Sequence, residues 1–353
     1  MNRHIFLILT LAVALGAVAK PEQQPRKLVS YVNPFVGTDG YGNVYPGAQI
    51  PFGGIQISPD TDEHFYDAAS GYKWNRQSIQ GFSLTHLSGT GIPDMGDFLF
   101  MPGTGIVRLD AGTDEAPDSG YRSRFRHEDE RATPGYYAVH LLDYGVKAEM
   151  TAGLRSGILR FTYPKSSESF VLIDFQHTLW QRCAWSNIRV ENDSTITGYR
   201  LIQGWGPERH IYFTAIFSKP FRQFMVYQNK KPVVYNGNRF RSNREAWGQG
   251  LVFTASFDTE EGEQITVKTA ISGISTAGAK LNLQELQGKT FDSLRQLAED
   301  KWEKELSKYR IEGTPEQKET FYTSAYHAAL CPFVYDDADG RYRGLDKNVE
   351  HEN

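Results

Sequence analysis

YVNPFVGTDGYGNVYPGAQIPFGGIQISPDTD (31–62), followed by GYKWNRQSIQGFSLTHLSGTGIPDMGD (71–97), sets the character of the chain. Glycine, proline, aspartate and aromatic residues crowd these segments beyond what a packed core requires. Glycine is needed where the backbone turns with positive φ or runs close to another group. Rings and carboxylates carried on such turns can grip sugars and other polyols, so the block reads as a shaped, ligand-facing surface.

Outward from this block, the text to about Ala279 is strand-like. FVLIDF (170–175), HIYFTAIFS (210–218), QFMVYQ (223–228), GLVFTASF (250–257) and QITVKTAIS (264–272) are β-branched and aromatic runs bounded by turn residues. That pattern predicts a mainly β fold, a large antiparallel β-sandwich. KAEMTAGLRSGILRFTYP (147–164) predicts a hairpin turning near Ser156-Gly157. After Gly288 the period changes: Phe291, Leu294, Leu297, Ala298, Trp302 and Leu306 fall on one helical stripe. A second helix opens at Thr314, with Pro315 in its first turn and Gln317 completing a capping box. Phe321, Ala325, Tyr326 and Ala329 give it an apolar face.

The expected organisation is an export signal at 1–19, a sandwich at 25–280, a helical linker at 288–310 and the opening of a helical domain at 311–353. A basic n-region, the apolar run IFLILTLAVALGAVA and a small-x-small site at Ala17–Ala19 make up the signal. The run is shorter than the about 20 residues of a spanning helix, so a periplasmic or extracellular protein with no membrane insertion after cleavage is expected. A formal net charge of −4 argues against nucleic acid as a partner. The two cysteines, Cys183 and Cys331, are expected as separate buried thiols. HExxH, paired CxxC, P-loop and GxSxG motifs are absent, and the nine histidines are scattered, which leaves a zinc site without support.

The motifs VNPFVGTDG, GNVYPGAQIPFG, SPDTD, SGYKW, IQGFSLTHLSGTG and DMGD resemble the N-terminal domain of the family 92 glycoside hydrolases, calcium-dependent exo-α-mannosidases. RFRHEDERATPGYYAVHL (124–141), IYFTAIFSKPF (211–221), FYTSAYHAALCP (321–332) and DADGRYRGLD (337–346) continue the resemblance in order. It implies a β-sandwich, a helical linker and an (α/α)6 barrel that together hydrolyse terminal α-mannosides with inversion, with α-1,2 or related linkages in mannose-rich glycans as the expected substrates. Inversion needs an acid and a base about 6.5–9.5 Å apart. The resemblance places both carboxylates, and the Ca²⁺ ligands, in the barrel. The sequence therefore reads as a truncated piece that contributes substrate-pocket loops and lacks the catalytic pair.

The resemblance also places Asp346, in GLD, where family members bind hydroxyls of the terminal mannose; an ordinary turn aspartate is the alternative. His86, in LTHLSGTG, is either a ligand contact or a satisfied structural histidine. Asp94 and Asp97 bracket a Met-Gly turn and could cap amides or reach a polyol, as could Asp39. Tyr66 and Asp67 stand just before SGY, where the family carries Trp-Asp-Trp-Cys, and complete the candidate substrate-binding set. Two departures stand out: Ala68 replaces the second tryptophan, and Leu84 a histidine. A rival expectation is a non-catalytic carbohydrate-binding sandwich that uses Tyr66 and Trp74 as a flat platform.

Overall fold

The computed structural model describes residues 26–62, 67–234 and 243–352. The export segment and Tyr66 lie outside the described residues.

The alternating runs pair into two antiparallel sheets. Among the described residues, one has nine strands: Glu245–Gly248, Arg182–Val190, Thr195–Gln203, Arg209–Phe217, Glu263–Ser272, Ser156–Tyr163, Val146–Ala152, Tyr136–Leu141 and Arg131–Thr133, in that spatial order. The other has seven: Ser58–Asp60, Gly81–Ser83, Leu99–Thr104, Ser166–Asp174, Leu251–Thr259, Gln223–Gln228 and Lys231–Pro232. Successive side chains of a strand point to opposite faces, and the inward sets form one apolar layer. Phe98, Phe175 and Phe213 show how tightly that layer is filled: the Phe98 and Phe213 centroids lie 4.2 Å apart, and Phe175 meets Phe98 edge-on at 5.5 Å.

Two local expectations change. The hairpin turn occupies 153–155, immediately ahead of Ser156-Gly157; Gly157 pairs across it with Ala152, and on the other side Ser156 and Gly157 pair with Ala270 and Thr269. Arg155 fixes the earlier turn through Glu285 at 3.0 Å and Asp336 at 2.6 Å. The strand text also ends sooner than Ala279. Helix α1, Thr276–Leu283, is capped by Ser275 accepting from the Gly278 amide, and it lies over strands Glu263–Ser272 and Arg209–Phe217. Helix α2, Phe291–Leu306, buries Phe291, Leu294, Ala298, Trp302 and Leu306. Helix α3, Pro315–Ala328, carries the expected Thr314–Gln317 capping box. Its buried face is Tyr322, Thr323 and Tyr326, with Phe321, Ala325 and Ala329 at the margin.

The early glycine-rich block divides into two roles. Its middle is a joint between sandwich and helices. Trp302 donates its indole N–H to the Gln49 carbonyl at 2.6 Å and packs on Tyr326 at 4.5 Å. Gln49 in turn donates to the carbonyls of Gly53 and Leu330. Tyr45, Ala48, Gln49, Ile55 and Ile57 are buried, so packing explains this part of the block, and only its flanks face outward. Cys183 is buried and Cys331 exposed, and both are free thiols. No helix among the described residues is long and apolar enough to cross a membrane.

Candidate functional site

Loops 38–43, 67–76, 85–97 and 176–181 meet at one end of the sandwich. The Ala69 amide donates to Asn43 Oδ1 at 3.2 Å, and the Gly89 amide to the Asn43 carbonyl at 2.7 Å. Leu179 N–H reaches the Met95 carbonyl at 3.1 Å, and Gln181 Nε2 the Pro93 carbonyl at 2.8 Å. Met95 and Trp180 hold positive φ, +76° and +90°. Such residues cost about 1–3 kcal/mol each and persist where surroundings over-determine them. Trp180 remains half exposed beside this turn.

Two buried carboxylates fix the loops from behind. Asp60 accepts from His86 Nε2 and His177 Nε2, each at 2.8 Å. Burial works to raise its pKa, but the two imidazoles outweigh that and hold the carboxyl below the usual range. Asp97 accepts from Thr85 Oγ1 at 2.7 Å and from both terminal nitrogens of Arg209 at 2.7 and 3.1 Å, with Arg200 at 3.4 Å. Its carboxyl is also held low, because the two arginines overcome the burial penalty. Arg200 extends the tie by donating to the carbonyls of His177 and Gly96.

The candidate residues separate on this frame. Asp94 lies on the outer turn, half-buried, accepting the Met95 amide at 2.7 Å. Burial raises its pKa and Arg209 partly offsets this, leaving a carboxyl poised at the surface with one oxygen uncommitted to that amide. Asp67 is partly exposed and ion-paired with Lys73 at 3.0 Å and Arg76 at 2.9 Å. Asp39 borders the same cluster, 3.9 Å from Lys73 Nζ. His86 is buried with both ring nitrogens engaged, and Asp97 is buried likewise, so each shapes the surface from beneath. Asp346 stands on the exposed tip of hairpin Arg341–Arg343/Val349–His351, where it accepts from the backbone and side-chain amides of Asn348. The neighbouring Lys347 Nζ donates to the Glu208 carbonyl at 2.7 Å, which sets the hairpin beside the loop leading to Arg209. Asp346 therefore stands on a hairpin beside the Glu208–Arg209 segment.

Both departures point inward. Ala68 is buried and Leu84 belongs to the sandwich core, so neither offers a face to a ligand here. Trp74 has one face covered by His127, stacked at 3.7 Å and 8°, which weakens the platform expectation. Asp60, His177, Arg200 and Arg209 carry no local sequence signal for this role. Asp60 sits within the quoted SPDTD, but nothing in that text shows that two distant histidines meet it. Among the described residues no three His, Cys, Asp or Glu side chains converge as metal ligands.

Residues 31–272 match the glycosyl hydrolase family 92 N-terminal domain, and residues 278–353 match the glycosyl hydrolase family 92 catalytic domain. The chain belongs to glycosyl hydrolase family 92. It is similar to a family GH92 α-mannosidase from Bacteroides thetaiotaomicron solved with mannoimidazole, at 66% identity and TM-score 0.92, over 93% of this chain and 43% of that one. An inverting family GH92 mannosidase from the same organism shares 26% identity with TM-score 0.78, over 92% and 43% of the two chains. An uncharacterized secreted glycosidase of Arthroderma benhamiae is 24% identical over 93% of this chain and 44% of its own. The chain thus spans less than half the length of these relatives.

Proposed function

We propose that this chain forms the N-terminal part of an exported α-mannosidase, with the Asp94–Trp180 end of the sandwich acting as one wall of a pocket for a terminal α-mannose. The observation that carries this is the fixed loop face: strained turns at Met95 and Trp180, held by buried Asp60 and Asp97, present a surface carboxyl beside an exposed indole. An indole face stacks on a sugar ring, and a carboxylate accepts from vicinal hydroxyls. Asp346 is assigned to the opposite side of the same pocket.

The acid and base of an inverting reaction, and the calcium ligands, are assigned to the part of the catalytic domain that residues 278–353 do not contain. Support for further helices comes from the groove on the outer side of α3, lined by Phe52, Tyr309, Phe321 and Ala325. Substrates are proposed to be mannose-rich glycans met outside the cytoplasm, after removal of residues 1–19. The test is mannose release from α-mannobiose with Ca²⁺, run in parallel with calorimetric binding. Weak binding without release is expected of these 353 residues; clear turnover would place the catalytic pair within them, and absence of binding at millimolar sugar would remove the pocket wall.

A further inference from the structure

We infer that Asp60 is a positioning residue: from beneath the surface it holds three loops in one arrangement and so sets mannoside affinity without touching the sugar. This rests on the pocket-wall reading for its affinity consequence, though not for its structural one.

Asp60 ends strand Ser58–Asp60 and is fully buried. Oδ1 reaches His86, at the root of the LTHLSGTG turn, and Oδ2 reaches His177, at the root of the turn carrying Trp180. The third loop meets it at Gly71, whose φ is +85° and where a Cβ would lie 2.1 Å from Oδ1. Loop 67–76 can follow this path only because Gly71 leaves room for the carboxylate. The Gly71 carbonyl then accepts the amides of Thr61 and Asp62, the two residues after Asp60.

The His86 contacts define what the carboxylate binds. Nδ1 is 2.9 Å from the Gln56 carbonyl oxygen, which can only accept, so Nδ1 carries hydrogen. Nε2 faces the Asp60 carboxylate at 2.8 Å, with Ser83 Oγ at 3.1 Å. The bond joins the imidazole to a buried carboxylate, and a neutral amide at position 60 offers it a weaker acceptor, because charge-assisted bonds are about twice as strong as neutral ones. His177 transmits the same anchor to Leu179 and Met95, since the Leu179 amide donates to the Met95 carbonyl.

The experiment compares the 353-residue chain with Asp60→Asn and His177→Gln by three readouts. Ring-nitrogen NMR is expected to show His86 and His177 nitrogen shifts that change in Asp60→Asn, as their Nε2 atoms lose the carboxylate. Amide exchange in loops 67–76, 85–97 and 176–181 is expected to speed up by about tenfold or more in Asp60→Asn, with strand Ser166–Asp174 unchanged. In His177→Gln the loosening is expected only in 176–181 and at Met95. The dissociation constant for methyl α-mannoside is expected to rise by a similar factor in Asp60→Asn. Unchanged loop exchange, or His86 and His177 ring-nitrogen shifts that stay put in Asp60→Asn, overturns the inference. Equal loosening of strand and loops also overturns it, since Asp60 would then be a general stability residue. If Asp60→Asn fails to fold, His177→Gln alone decides: loosening outside its own loop and Met95, or none, counts against the anchor. If the wild type binds no mannoside, the pocket-wall reading fails, while ring-nitrogen shifts and loop exchange still judge the anchor.

Discussion

Replacing Asp97 by alanine separates a structural ion cluster from a cosmetic one. The carboxylate is fully buried, Arg200 beside it is fully buried, and Arg209 is 23% exposed. Removing the shared anion leaves the Arg200 guanidinium uncompensated in the interior, which costs about 3–5 kcal/mol. Arg209 adds less, because it can turn toward water. Against a typical total of about 5–15 kcal/mol, that is a large fraction. At roughly 2–4 °C per kcal/mol for a domain of this size, the melting temperature should fall by about 6–20 °C. Urea unfolding followed by circular dichroism and tryptophan emission measures the loss, and Arg200→Met in the Asp97→Ala background should cost less than Arg200→Met alone. Because Asp97 is held low in the fold, its contribution is present above the unfolded-state value of about 3.9 and fades as pH falls through the native one. The wild-type advantage should therefore shrink in acid. A loss below about 1 kcal/mol at pH 7, or one that grows on acidification, refutes the reasoning.

Three further outcomes follow from single contacts. His127 donates to buried Glu130 at 2.6 Å, a bond that raises its pKa; its support of Trp74 should be full below the unfolded value of about 6.5 and vanish as pH rises through the higher native value. Tryptophan emission titrated from acid to base should show a step that His127→Gln removes; an identical step in both proteins excludes the clamp. Trp302→Ala should cost about 3–5 kcal/mol from the lost ring and raise amide exchange first in α2 and α3, whereas exchange rising first in the sandwich contradicts the joint at Gln49. Asp94→Ala should leave stability within about 0.5 kcal/mol, as expected of a surface position, yet abolish mannoside binding; retained binding removes Asp94 from the pocket.

Much of the fold was legible because its elements obey local rules. Strands Gln223–Gln228 and Glu263–Ser272 follow from β-branched and aromatic runs between turns, and the Thr314–Gln317 box announced α3 at its first residue. Helix α1 was hidden because TAGAKLNL is weakly amphipathic, and tertiary partners hold it: Asn282 bonds the Ile271 carbonyl and Asp337. At the site, Asp67 and Asp94 could be found from their glycine-rich surroundings, whereas Asp60 and Arg209 depend on contacts over 117 and 112 residues. No local pattern encodes those. His86 stands out within LTHLSGTG, but whether it faces a ligand or the interior is decided by Gln56 and Asp60, which only the fold brings to it.

Chemical-shift mapping of methyl α-mannoside onto the 353-residue chain tests the pocket wall most directly. Shifts concentrated at 85–97 and 176–181, and lost in Asp94→Ala, are the predicted result. Shifts confined to residues outside those loops, or none at millimolar sugar, would contradict it.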